Sequence, residues 1–103
     1  MFTAGACPLD EGGGVVGPGD HRIQADKAVD NLLAVLARYR AGPADLVKTT
    51  VYVVGTHPDL VAVWDIVAAR LEPHRPPSTL VGVAVLGYRD QLVEIEGIAA
   101  LSG

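Results

Sequence analysis

Glu94 and Glu96 stand two residues apart near the C-terminus, in Val93-Glu94-Ile95-Glu96. On an extended strand that spacing puts both carboxylates on one face, where one could act as a base and the other as an acid. A solvated or interface stripe has the same spacing, and position alone does not separate the two readings. Cys7 is the only cysteine. Among small apolar neighbours, with no adjacent histidine to lower its pKa, it reads as a small buried hydrophobe rather than a nucleophile. A single thiol forms no internal disulfide and no cysteine metal cluster, which suits a reducing, cytoplasmic compartment. His21, His57 and His74 are scattered and lack the spacing that sets two imidazoles on one ion, so no metal is expected. Ser78 has no visible base to take its proton and reads at most as a hydroxyl lining a cleft. Gly12-Gly13-Gly14 is followed by no Gly-Lys-Ser/Thr and reads as a turn, not a phosphate cradle.

Composition narrows the functions these residues can serve. Half the residues are apolar and 19% are charged, so the chain can bury a core. At 103 residues that core is a single one, and residues 1–103 are expected to form one domain. The net charge is −4, with only eight Lys and Arg and no basic run, which counts against binding a nucleic-acid backbone. No apolar run approaches the ~20 residues that span a bilayer, so no membrane partner is expected.

The elements that must position these residues follow from periodicity and punctuation. Met1 to Leu9 reads as a strand, and Val15-Val16 as a short second one after the glycine turn. Asp20 caps a helix expected from His21 to Arg40, with Ala28, Leu32, Val35, Leu36 and Tyr39 as its apolar stripe. Gly42 and Pro43 end it. Leu46 to Val54 reads as a strand, with Val47, Thr49, Val51 and Val53 facing the helices and Lys48, Thr50, Tyr52 and Val54 facing away. Thr56 and Pro58 open a second helix ending near Glu72 and Pro73. Its stripe is Leu60, Val61, Trp64, Val67, Ala68 and Leu71, with Trp64 expected in the core. Arg75, Pro76 and Pro77 are extended. A strand from Ser78 to Leu86 and a hairpin connection at Gly87–Asp90 lead to a last strand, Gln91 to Ala100.

This order predicts an α+β domain in which two helices cover one face of a mixed sheet. The other face, with Tyr52, Thr50, Glu94 and Glu96, is too mixed to be a core. Its surroundings are too apolar to be freely solvated, and subunit association is a natural cover. Tyr52 fits a cleft or an interface equally well.

Five segments in order resemble the Rid family, the reactive intermediate deaminases also called the YjgF or L-PSP endoribonuclease family. They are Thr3-Ala4-Gly5-Ala6-Cys7-Pro8-Leu9-Asp10, Gln24 with Asn31-Leu32, Asp45 to Val53, Arg75 to Val83, and Val93 to Ala99. The resemblance implies a chorismate-mutase-like α+β subunit, a homotrimer, and a cleft for a small metabolite between subunits. Its best-known members hydrolyse enamines and imines to 2-oxo acids and ammonia without a cofactor, while others were described as ribonucleases. Carried over by position, Glu94 matches the family's water-positioning glutamate and Gly5 the glycine whose backbone lines the cleft.

The position of the family's carboxylate-binding arginine falls on Ser78. Arg75 lies three residues upstream, roughly 10 Å along an extended chain and turned to the other face, and so is not expected to replace it. The resemblance therefore implies a cleft-bearing member acting on a small imine or related carbonyl compound, or a non-catalytic metabolite binder, with weak 2-imino acid deaminase activity. Ribonuclease activity is the weaker alternative. Met1 falls where the family's second strand is under way, so the first strand is expected to be missing from this sequence.

Overall fold

A computed structural model describes residues 1–101, and the last two residues of the expected single-domain span lie outside it. Five regular elements follow in order: α1 (His21–Arg38), β1 (Leu46–Val53), α2 (His57–Leu71), β2 (Ser78–Gly82) and β3 (Val93–Ala99). β1 is central, parallel to β2 and antiparallel to β3, so the sheet is mixed and both helices lie on one face of it. β2 and β3 are thus separated by β1 and form no hairpin, although they are consecutive. β2 also stops at Gly82 instead of Leu86. Past Val83, whose N–H still donates to Val53 O at 2.9 Å, β1 has ended and offers no further ladder.

The N-terminal segment forms isolated bridges in place of a regular strand. Phe2 pairs with Ile98, Ala6 with Ile95, and Leu9 with Val15, so the segment runs along the free edge of β3. The glycine run is a turn held by Asp10, whose Oδ1 accepts from Gly12 N and Gly14 N, both at 2.9 Å. Those amides are consumed locally, as expected of a turn.

α1 begins as expected, with Asp20 Oδ1 accepting from Ile23 N at 3.0 Å. It ends two residues early. Arg40 takes the left-handed conformation (φ 58°), and the N–H groups of Arg40 and Ala41 close back on Ala37 O and Leu36 O, both at 3.0 Å. This glycine-free Schellman end precedes Gly42 and turns Tyr39 out of the stripe, leaving it 59% exposed.

β1 departs from strict alternation through a bulge. Leu46 pairs with Ala99 and Lys48 with Ile98, leaving Val47 without an opposite residue. Val47 is therefore 49% exposed and Leu46 fills the core in its place, against Gly97, where an added Cβ would come within 2.8 Å of Leu46 Cδ2. On α2 the buried line is Val63, Val67 and Leu71, rotated from the expected stripe. The helix packs on α1 as well as on the sheet, so the side facing both is innermost. Val61 is exposed and Trp64 only half-buried at the flank. Arg70 ties the helices together through Asp30 (2.6 Å) and Asp26.

The core consists of Val29, Leu32, Leu36, Leu46, Val51, Val53, Val63, Val67, Leu71, Val93 and Ile95 with smaller alanines, between the helices and the inner sheet face. No described helix is long and apolar enough to cross a membrane.

Candidate functional site

On the bare face of the sheet, Glu94 sits opposite Tyr52 and Glu96 opposite Thr50. Glu94 and Gly5 meet. The Glu94 carboxylate lies directly against the Gly5 backbone, so that a Cβ there would overlap it. Glu94 Oε1 accepts from Gln91 Nε2 at 3.2 Å and from Cys7 Sγ at 3.3 Å. The segment of Gly5 and Cys7 and the approach to β3 converge on one carboxylate.

α1 holds both stretches in place. Gln24 and Asn31 are seven residues apart and share one helix face. Asn31 Nδ2 donates to Cys7 O (2.7 Å) and Leu9 O (3.0 Å), fixing the segment that carries Gly5 and Cys7. Gln24 is fully buried. It accepts from Leu92 N at 2.7 Å and donates to Asp90 O at 2.8 Å, fixing the approach to β3. The two amides thus act at a distance on the surroundings of Glu94.

Cys7 is also a hydrogen-bond donor, to the Glu94 carboxylate. Burial, followed by the hydrogen bond and charge of Glu94, pushes its thiol from 9.0 up to about 11, with Gln91 opposing weakly. It is therefore protonated at neutral pH. Gln91 was missed in the sequence reading. The available signal was its parity: it shares the inward phase of Val93 and Ile95, and a polar residue ending a buried row needs partners. Its Oε1 accepts from Tyr88 N at 3.1 Å while Nε2 also reaches Val93 O at 3.1 Å.

Glu96 accepts from Tyr52 Oη at 2.6 Å, and this bond raises the phenol's pKa. The two glutamates therefore have different partners along the same face.

Ser78 is not brought to Glu94 within the chain. It pairs with Thr49, three residues along β1 from Tyr52, and two strand spacings separate β2 from β3, roughly 14 Å in all. Its hydroxyl is hydrogen-bonded to Thr49 Oγ1, on the helix-covered side, and donates to Pro76 O at 3.0 Å. It lines a cavity of about 340 Å³ with Trp64, His74 and Arg75. The expectation that Arg75 turns away from Ser78 assumed an extended strand. Residues 73–77 form no strand, so the alternation argument does not hold there.

The histidines do not converge. His21 Nε2 is bonded to Val54 O at 2.7 Å and its Nδ1 lies 3.7 Å from Asp59, while His57 and His74 are exposed. Asp59 caps α2, and hydrogen bonds from Thr56 N (2.8 Å) and the Thr56 hydroxyl (2.9 Å) lower its pKa. Among the described residues no group of three metal-ligating side chains comes together.

A two-helix, mixed-sheet α+β domain with a glutamate over a glycine in a bridged N-terminal segment is the class that the geometry defines. A profile of the family described as Endoribonuclease L-PSP matches residues 1–101, and the chain belongs to that family, the Rid or YjgF proteins. It is 37% identical over 103 residues to a RutC family protein of Synechocystis, covering 98% of this chain and 78% of that one. The conserved Rid family protein YyfB from Yersinia pestis, described as of unknown function, superposes with a TM-score of 0.91 at 32% identity. That match covers 98% of this chain and 77% of its own. TdcF of E. coli, solved with bound serine, gives 0.86 at 27% identity, covering 98% and 80%.

Proposed function

We propose that the chain is a homotrimeric Rid-type protein that takes a small metabolite in a cleft between subunits. In this reading Glu94 orients water or a polar ligand group, Gly5 presents its backbone, and Ser78 contributes a neutral hydroxyl. The observation carrying the reading is the Glu94 carboxylate held against Gly5 by Gln91 and Cys7. The serine bound to TdcF is a ligand of the right size in a relative. Because Ser78 and Glu94 lie far apart in one subunit, the trimer supplies the means of bringing them to a common cleft. The reaction class is hydrolysis of a small enamine, imine or related carbonyl compound without a cofactor, in a cytoplasmic protein.

Turnover of 2-imino acids is slow in this reading, which also leaves room for a purely binding role. A serine hydroxyl offers one neutral hydrogen bond where guanidinium offers two charge-assisted ones, a deficit of a few kcal/mol, or roughly a hundredfold in rate. The acidic net charge argues against RNA as the substrate.

The test generates iminobutanoate in situ and follows its decay with wild type, Ser78→Arg and Glu94→Ala. The expected order is slow wild type, faster Ser78→Arg and background rate for Glu94→Ala. A wild-type rate equal to that of an arginine-bearing relative removes the role given to Ser78. A monomeric mass by light scattering removes the cleft.

A further inference from the structure

The charges around Glu94 narrow what a cleft there can take. Both hydrogen bonds to its carboxylate fall on Oε1, from Gln91 Nε2 at 3.2 Å and Cys7 Sγ at 3.3 Å. An amide and a thiol are neutral donors, so they fix the carboxylate without cancelling its charge. Oε2 faces the Gly5 backbone and receives no hydrogen bond from the described residues. A carboxylate only accepts, so a ligand that reaches Oε2 must bring its own donor.

Its neighbour on the same face adds to the negative side. Glu96 stands two residues along β3, roughly 7 Å away. Its partner is another neutral group, the Tyr52 hydroxyl, at 2.6 Å. Tyr52 lies in the field of both glutamates: the Glu96 hydrogen bond, followed by desolvation and the charges of Glu96 and Glu94, raises the phenol's pKa.

No cation among the described residues offsets the two acids. The ion pairs lie elsewhere, at Asp26, Asp30, Asp59 and Glu72. Lys48, on the same face, stands opposite Ile98, four residues beyond Glu94 and roughly 13 Å along β3. Its Nζ is drawn away from β3, donating to Thr79 Oγ1 on β2 at 2.5 Å. Ser78 enters the cleft as a neutral hydroxyl, and Arg75 upstream of it is already paired with Glu72 at 3.0 Å. The net charge of −4 extends the attraction for cations to the whole chain.

Building on the intersubunit cleft proposed above, we infer that Glu94 selects a small cation with an N–H donor and no carboxylate, a protonated amine or iminium ion, held at Oε2. Glu96 strengthens the field that draws it in. With an iminium ion the same contact favours the protonated, more electrophilic form of the C=N bond. In its hydrolysis the oxygen of one water bonds to the iminium carbon as the C–N bond breaks. Both water protons leave on nitrogen, so the products are a ketone or aldehyde and an ammonium ion.

The experiment titrates the full chain at neutral pH with isobutylammonium, isobutanol and isovalerate, which share one hydrocarbon body and differ in charge. NMR signals of the Gly5 amide and the Gln91 side-chain amide, which border Glu94, report binding. Saturable shifts are expected with isobutylammonium, with at least about tenfold weaker binding of isobutanol and weaker binding still of isovalerate. Added salt should weaken the ammonium ion. Glu94→Gln should weaken it about tenfold or more, and Glu96→Gln by a smaller factor. Isovalerate binding as tightly as isobutylammonium, an unchanged ammonium affinity in Glu94→Gln, or no saturation by the ammonium ion in a trimeric wild type would overturn the inference. A monomeric mass by light scattering on the same sample would instead remove the cleft itself, and this selectivity with it.

Discussion

The two faces of the sheet are built from alternate residues of the same strands, yet they are held by different forces. Toward the helices, Val93, Ile95 and Ala99 are buried with Val51 and Val53, and the interaction is loss of apolar area to water. Facing away, Glu94, Glu96 and Tyr52 are only partly covered, and each polar group there is placed by hydrogen bonds from other segments. The inner face tolerates no polar surprise without a partner. The outer face can hold charge because it keeps access to water, and so it is where chemistry can be done.

Substituting adjacent residues on β3 sharpens this contrast. Ile95→Ala opens a cavity in the fully buried face and should cost about 2–5 kcal/mol in denaturant unfolding, with an unchanged slope. A loss under about 1 kcal/mol would show that the inner face is not the main packed layer. Trp64→Ala, at the flank where the inner face opens into the cavity, should cost less than a fully buried tryptophan, about 1–3 kcal/mol. A value at or above about 4 kcal/mol would mean that Trp64 is covered after all and that the cavity is closed.

The smallest effect belongs to the outer face and is read on the thiol. Glu94→Gln removes the charge beside Cys7 but leaves its burial, so the thiol pKa should fall from about 11 part of the way toward 9.0. Alkylation of this single thiol by iodoacetamide at about pH 8 should quicken, by up to about tenfold per pKa unit recovered. An unchanged rate profile would mean that Cys7 and Glu94 are not in contact. The same shift links to stability. Because the folded-state value lies above the ordinary one, the contribution of Cys7 is fully present below pH 9.0 and is lost as pH rises through about 11. Glu94→Gln should narrow that window from its upper end.

Much of the fold was legible because its signals are local. Asp20 capping α1, the Asp10-glycine turn, the polar outer phase of β1 and β3, and the class of two helices on a mixed sheet all follow from neighbours a few residues apart. The errors fall where a local rule met a tertiary constraint. Tyr39 left its stripe because Arg40 closed the helix before Gly42 could. Val47 left the core because the register against β3 required a bulge, and Leu46 had room over Gly97. Hairpin pairing of β2 with β3 was the economical reading of consecutive strands, but β1 lies between them.

The candidate site shows the same division. By resemblance the sequence nominated Gly5, Glu94 and Ser78, and its own alternation placed Glu94 with Glu96 on the bare face. It also determined family membership, since the order of short glycine-, proline- and β-branched-rich segments is a property of the chain itself. Only the tertiary structure could bring Gln91 and Cys7 to the Glu94 carboxylate, or set Arg75 beside Ser78 around one cavity. The physical reason is range: periodicity reports the direction of a side chain relative to its own backbone. A hydrogen bond between residues 87 positions apart depends on how helices and strands pack, and that packing is decided by the whole core at once.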